Sequence, residues 1–210
     1  NAKQAAFFYR KAFGFSQLAY AGLETGNRAE ASYVMSQGRV RFVLTTPLSG
    51  DHPHNRWLRA HGDGVADIAL QVEDADAAFE AALNRGATAV TAPHSISDEH
   101  GTVRRASIRT WGDVVHTFIS KGDYTGPFLP GYTPKIIEEQ GVGLQLIDHV
   151  VGNVGDGEMD EHADWYERVL GFHRYITFDD KDISTEFSAL RSVVMSSATY
   201  SVKFPINEPA

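Results

Sequence analysis

The chain carries nine histidines and no cysteine. Disulfides, thiolate metal sites, iron–sulfur clusters and cysteine nucleophiles are thereby excluded, and imidazoles and carboxylates remain as candidate ligands. One histidine stands apart. His149 lies in LIDHVVGN, residues Leu146 to Asn153, a short apolar stretch with β-branched neighbours. An imidazole on such a strand is either a buried core group bonded to a carbonyl or a metal ligand. Residues two apart share a strand face, so Ile147, His149 and Val151 are expected to point one way. In the closing segment KFPINEP, Pro205 and Asn207 share a face, as do Leu190 and Ser192 in the strand before it. If these faces line the concave side of one curved sheet, His149, Ser192 and Asn207 converge in an apolar cleft. One nitrogen ligand with two neutral hydrogen-bonding groups is the composition of a small-molecule site. Ordinary strand and turn chemistry is the competing reading for Ser192 and Asn207. Glu208 is a candidate second ligand, although alternation turns it away from the Asn207 face.

The other histidines point less clearly to chemistry. His52, His54, His61, His94 and His100 fall in loop-like segments, and DHPH (Asp51 to His54) has the composition of a surface turn. His116 lies in a strand, and His162 and His173 flank a helix. HGDGVAD, His61 to Asp67, precedes a strand, whereas a phosphate-binding loop follows one. No P-loop, serine elbow or HExxH is present.

Composition sets the frame. The chain is 42% hydrophobic and 22% charged over 210 residues, values of an ordinary globular protein. A net charge of -8 with no basic cluster argues against a nucleic-acid surface. No apolar run approaches the roughly 20 residues of a membrane helix. A reducing cytoplasm is compatible with this, and a cytoplasmic homo-oligomer is expected. The chain opens inside a helical pattern without a Met and closes just after a strand, so it reads as an internal piece of a longer protein.

An internal repeat positions the candidate groups. FYRKAFGF (Phe8 to Phe15) matches WYERVLGF (Trp165 to Phe172) in residue type, and both amphipathic helices stop at a glycine, Gly14 or Gly171. A third copy begins at Asp74, a natural N-cap, and stops at Gly86. Each helix precedes about three strand-like runs. These are Ser16–Ala21, Glu30–Ser36 and Arg39–Thr45, then Thr88–Ala92, Val103–Thr110 and Val114–Ser120, then His173–Phe178, Thr185–Met195 and Tyr200–Ile206. VADIALQV (Val65 to Val72) and LQLIDHVV (Leu144 to Val151) read as leading strands, which makes the unit βαβββ. The expected class is α+β, with tandem βαβββ modules forming curved, barrel-like sheets. Residues 1–121 would be an N-terminal structural domain of two units, its first strand missing. Residues 122–143 would be a Gly/Pro-containing linker, and 144–210 the first half of a catalytic domain. A lone third unit leaves a sheet face and an edge open, to be covered by another chain or a further segment. Aligning the leading strands on their aspartates sets Ile68 against His149.

The βαβββ repeat resembles the vicinal-oxygen-chelate superfamily, which includes glyoxalase I, extradiol dioxygenases and bleomycin-resistance proteins. The residues that carry this are RAHGDGVADIAL (Arg59–Leu70), DEHGTV (Asp98–Val103), YTGPFLPGY (Tyr124–Tyr132), LIDHVVGNV (Leu146–Val154), WYERVLGF, DDKDISTEFSALRSVV (Asp179–Val194) and KFPINEP (Lys203–Pro209). Together they span nearly the whole chain. Within the superfamily the chain is similar to the iron dioxygenases that decarboxylate an aromatic 2-oxo acid. That resemblance implies a non-haem Fe(II) held by two His and one carboxylate, with His149 as the first ligand. The second His and the Glu belong to a fourth unit beyond Ala210. Ser192 and Asn207 match substrate-pocket positions, and Val151 and Pro205 match apolar walls. The implied partners are 4-hydroxyphenylpyruvate and O2, and the implied products are homogentisate and CO2. A sister activity giving 4-hydroxymandelate and a non-catalytic binder of the same fold are the alternatives. The 210 residues alone are expected to be inactive and iron-free.

Overall fold

Periodicity and capping account for the helices. In the computed structural model, which describes residues 1–179 and 189–210, α1 (Ala2–Phe13) starts at Asn1, whose side chain accepts the Gln4 N–H. It stops at Gly14 with φ +66°, a left-handed conformation that costs glycine least. A short helix that sequence periodicity did not reveal, α2 (His54–His61), comes next. Asp74 caps α3 (Ala75–Asn84) by accepting the Asp76 and Ala77 N–H groups at 2.9 and 3.0 Å. The last helix, α4 (Met159–Trp165), continues into a single π-turn, Tyr166–Leu170, and stops at Gly171 with φ +67°.

Each repeat builds a four-stranded sheet. β1 (Ser16–Ala21), β2 (Glu30–Gln37) and β3 (Val40–Pro47) form the first meander. The second unit has β4 (Leu70–Gln71), β5 (Ala89–Asp98), β6 (Gly101–Arg109) and β7 (Val115–Ser120). β8 (Thr133–Ile137) lies inside the expected linker and adds to β1, giving the order β3-β2-β1-β8. β9 (Gly152–Asn153), β10 (His173–Phe178), β11 (Leu190–Ser196) and β12 (Lys203–Pro209) complete the third unit. The second and third sheets share one topology, β4-β7-β6-β5 and β9-β12-β11-β10, in which the leading strand runs parallel to the last.

The leading strands are shorter than expected. Leu144–Val151 is not a strand, because the regular ladder with β12 is confined to Gly152–Asn153, with a single backbone bond from Val150 before it; Val65–Val72 contracts to Leu70–Gln71 and a bridge at Asp67. His54 and His61 bound α2 and His94 lies in β5, so these three are not loop residues. The expected strand start at Thr185 falls outside the described residues.

The ladders also correct the counterpart of His149. Ile68 and Val72 donate to the carbonyls of Val115 and Ile119, as Val150 and Val154 donate to those of Lys203 and Asn207. Ile68 thus matches Val150, and Asp67 occupies the place of His149. Aligning the two aspartates misses this by one residue, and in a strand one residue reverses the face. Ile68 and Val150 accordingly both pack against the core of the third unit.

That core reaches across units. Phe79 and Ala82 of α3 cover Ala106, Ile108 and Phe118, and Val169 of the π-turn joins them. Met159, Tyr166, Val193, Met195, Phe204 and Ile206 form the adjoining cluster. Tyr166 and His116 have no exposed surface. The Ile68 carbonyl lies 3.0 Å from His116 Nδ1 and can only accept, so Nδ1 carries the hydrogen. His116 Nε2 then accepts from the Tyr166 hydroxyl at 2.8 Å, which also lies 3.1 Å from Thr110 Oγ1. Burial pushes His116 down to about 4 and raises Tyr166 well above its ordinary value.

Candidate functional site

All five residues singled out for the site (His149, Val151, Ser192, Pro205 and Asn207) line one cavity of about 410 Å³. Sheet register brings them together. Ser192 lies directly opposite Asn207, and Pro205 opposite Val194, in the antiparallel β11·β12 ladder. Asn207 is paired in turn with Asn153 across the parallel β9·β12 ladder. Tyr175, Ile176 and Phe178 of β10 supply a further wall. Neither Ser192 nor Asn207 has a side-chain hydrogen bond among the described residues, which leaves both groups available to a ligand. Ile147 does not join them. It lines a separate apolar groove with Tyr9, Phe13 and Phe15, because the chain is not yet a strand there.

His149 is set by its neighbour. Its Nδ1 lies 2.8 Å from Asp148 Oδ2, and a carboxylate accepts, so Nδ1 carries the hydrogen and Nε2 keeps its lone pair. Asp148 is held from β12, since Lys203 Nζ donates to its Oδ1 at 2.7 Å and to its carbonyl at 3.4 Å. The Lys203 bond, then the His149 bond, hold the Asp148 carboxyl below the usual carboxylate range. Lys203 also accepts the Val150 N–H on its own carbonyl. One lysine on the strand thus pins the irregular segment that carries His149, which explains a cation on the cavity side of β12.

Glu208 faces away from the cavity. It is 5% exposed, accepts the Met159 N–H at the start of α4 (3.1 Å) and pairs with Arg191 at 2.9 Å. Its role is to anchor the helix, which alternation along β12 requires once Asn207 faces inward.

Another group of potential ligands lies elsewhere: Glu30, His52 and His54 bring three ligand atoms within 4.8 Å of one another. The His54 N–H donates to His52 Nδ1 at 3.1 Å, so a neutral His52 carries its hydrogen on Nε2, 3.3 Å from Glu30. In that tautomer the ring offers Glu30 a hydrogen rather than a metal a lone pair, and the group caps the entry to α2.

Residues 1–103 match the model of the Glyoxalase/Bleomycin resistance protein/Dioxygenase superfamily. The structure superposes on a mutant of 4-hydroxymandelate synthase from Streptomyces coelicolor with a TM-score of 0.83 and 26% identity, covering all of this chain and 60% of that one. The fold is therefore glyoxalase/dioxygenase-like, α+β with curved sheets built from βαβββ modules.

Within that class it resembles the 4-hydroxyphenylpyruvate dioxygenases along its whole length. It is 47% identical to that of Dictyostelium discoideum and 45% identical to that of Aspergillus fumigatus. It spans 59% and 57% of their respective lengths.

Proposed function

We propose that this chain is part of an Fe(II)-dependent dioxygenase that converts 4-hydroxyphenylpyruvate and O2 to homogentisate and CO2. The observation that supports it best is a convergence. A histidine with an available Nε2 shares one cavity with two unengaged neutral polar groups, in a chain similar throughout to enzymes of that name. His149 would hold the iron by Nε2. When bound, Fe(II) in a two-His, one-carboxylate site supplies open positions for a 2-oxo acid and for O2. The remaining roles belong to the protein. Ser192 and Asn207 hydrogen-bond the substrate's polar atoms, while Val151 and Pro205 pack against its ring and Phe178 helps exclude water. Asp148, braced by Lys203, keeps the His149 hydrogen on Nδ1.

The donor set fits in part. One imidazole does not hold Fe(II) against water, so the chain alone is expected to be iron-free, the other ligands coming from outside these residues. On this reading residues 1–121 form a first domain, 122–143 connect, and 144–210 begin the catalytic domain. A cytoplasmic homo-oligomer belongs to the same proposal; no helix among the described residues is long and apolar enough to cross a membrane.

The test uses a longer version containing this sequence, assayed with Fe(II), ascorbate and 4-hydroxyphenylpyruvate. Homogentisate is expected, with iron binding and turnover both lost in His149→Ala; no product would overturn the reading. The likeness to 4-hydroxymandelate synthase favours a second reading, in which the same substrate is hydroxylated at its benzylic carbon. Product identity separates the two, and a protein that binds the substrate without turning it over is instead a non-catalytic binder.

A further inference from the structure

The repeat places a second polar constellation in the first part of the chain, at the positions that form the cavity in the third unit. With Ile68 matching Val150, and Val115 and Ile119 matching Lys203 and Asn207, Asp67 stands at the place of His149 and Thr117 at that of Pro205. Arg105, opposite Ile119, stands at the place of Ser192, which is opposite Asn207. These side chains share a face. Ala106, Ile108 and Phe118 pack beneath α3, so their strand neighbours Arg105, Ser107 and Thr117 point the other way. Hydrogen bonds confirm it: Thr117 donates to Asp67 at 2.6 Å and lies 2.8 Å from Ser107. Tyr132, just before β8 of the first sheet, lies close enough to feel the charge of Arg105.

Within this face one group is unsatisfied. The Arg105 side chain makes no hydrogen bond and no ion pair among the described residues, and its Nε is shut off from solvent without an acceptor. Arg10 Nε is likewise without an acceptor, but the Arg10 guanidinium is paired with Glu139, whereas Arg105 has no ion pair within 4.0 Å among the described residues. A buried guanidinium hydrogen without an acceptor is costly, and the planar fork of five donors matches a carboxylate. Asp67 neutralises part of the charge but has given an oxygen to Thr117, and its own side chain is exposed to solvent although protein surrounds it on most sides. The face is therefore reached by solvent at Asp67.

We propose that this polar face is a second ligand site, in which Arg105 binds the carboxylate of a small organic monoanion beside Asp67 and Thr117. A monoanion is specified by the carboxylate of Asp67 beside Arg105, which repels a more highly charged ligand. The site is independent of the iron reading, because no residue of the second-domain cavity takes part.

The test follows the Arg105 Nε–H resonance in ¹⁵N-arginine-labelled protein during titration with sodium pyruvate, with sodium phosphate and sodium chloride at matched ionic strength. Pyruvate is expected to give a saturable shift at Arg105, at least tenfold tighter than phosphate. Followed in parent and variants alike through the Thr117 backbone amide of uniformly ¹⁵N-labelled protein, the binding response should vanish in Arg105→Gln and weaken at least tenfold in Arg105→Lys, which keeps the charge but loses the fork. Arg105→Lys, which keeps the positive charge beside Asp67, should melt close to the parent and so separates lost binding from lost folding. Three results would overturn the proposal: the same change with chloride, phosphate binding as tightly as pyruvate, or a response abolished by Ser192→Ala and retained in Arg105→Gln.

Discussion

His116 makes the stability of this fold sensitive to mild acid, and the size of the effect can be worked out. Its imidazole is fully buried, with Nδ1 donating to Ile68 and Nε2 accepting from Tyr166, and burial lowers its pKa from 6.5 to about 4. The folded state therefore holds this ring neutral in a range where the unfolded chain protonates it. The stabilising neutral form is fully effective above pH 6.5 and is lost progressively between 6.5 and about 4. At about 1.4 kcal/mol per pH unit the total loss is roughly 3 kcal/mol. With a urea slope of about 2 kcal/mol per molar, the unfolding midpoint should fall by roughly 1.5 M across that window. His116→Leu removes the titration but leaves the Ile68 carbonyl without its donor and Tyr166 with only Thr110, at a cost of about 1–3 kcal/mol at neutral pH. The stability curves of parent and variant should thus converge on acidification and meet at about pH 5. Urea unfolding followed by the fluorescence of Trp111, whose ring lies 5.4 Å from that of Tyr166, reads this directly. Carboxylates common to both proteins cancel in the difference. Parallel curves, with a constant gap from pH 7 to 4.5, would refute the reasoning.

Three further outcomes follow from the site and its supports. Asp148→Asn, which cannot accept from His149 as a carboxylate does, should shift the His149 tautomer population toward Nε2–H, and Lys203→Met should do so less; ¹⁵N imidazole shifts report it, and an unchanged tautomer ratio would count against the bracing role. Glu208→Ala should lower stability by about 1–3 kcal/mol, chiefly by leaving the buried Met159 N–H without its acceptor, since Arg191 keeps Asp156, with metal affinity in a longer protein altered less than tenfold. Gly152→Ala sets a methyl 2.8 Å from the Trp111 ring and should cost about 1–3 kcal/mol with a change in Trp fluorescence; an unaltered melting temperature would contradict that contact.

The resemblance and the strand alternation were legible in the linear chain for a local reason. Gly14, Asp74 and Gly171 start or stop helices through their own backbone preferences, and Ser192, Pro205 and Asn207 face one side because strand side chains alternate every residue. His149 was conspicuous because an imidazole interrupts an apolar run. None of these inferences needs a distant partner.

Other features rest on groups far apart in sequence, and there only the tertiary structure decided. The parallel ladder joins β9 to a strand 50 residues later, so its register has no local signature, and a one-residue error set Ile68 in place of Asp67 as the counterpart of His149. The same distance hid the Lys203–Asp148 brace, the His116–Tyr166 bond across units, and the pairing of β8 with β1 from within an expected linker. Composition and periodicity determined what each segment is and which way its side chains turn. Long-range hydrogen bonding and packing, which depend on the whole folded chain, decided which of those side chains meet.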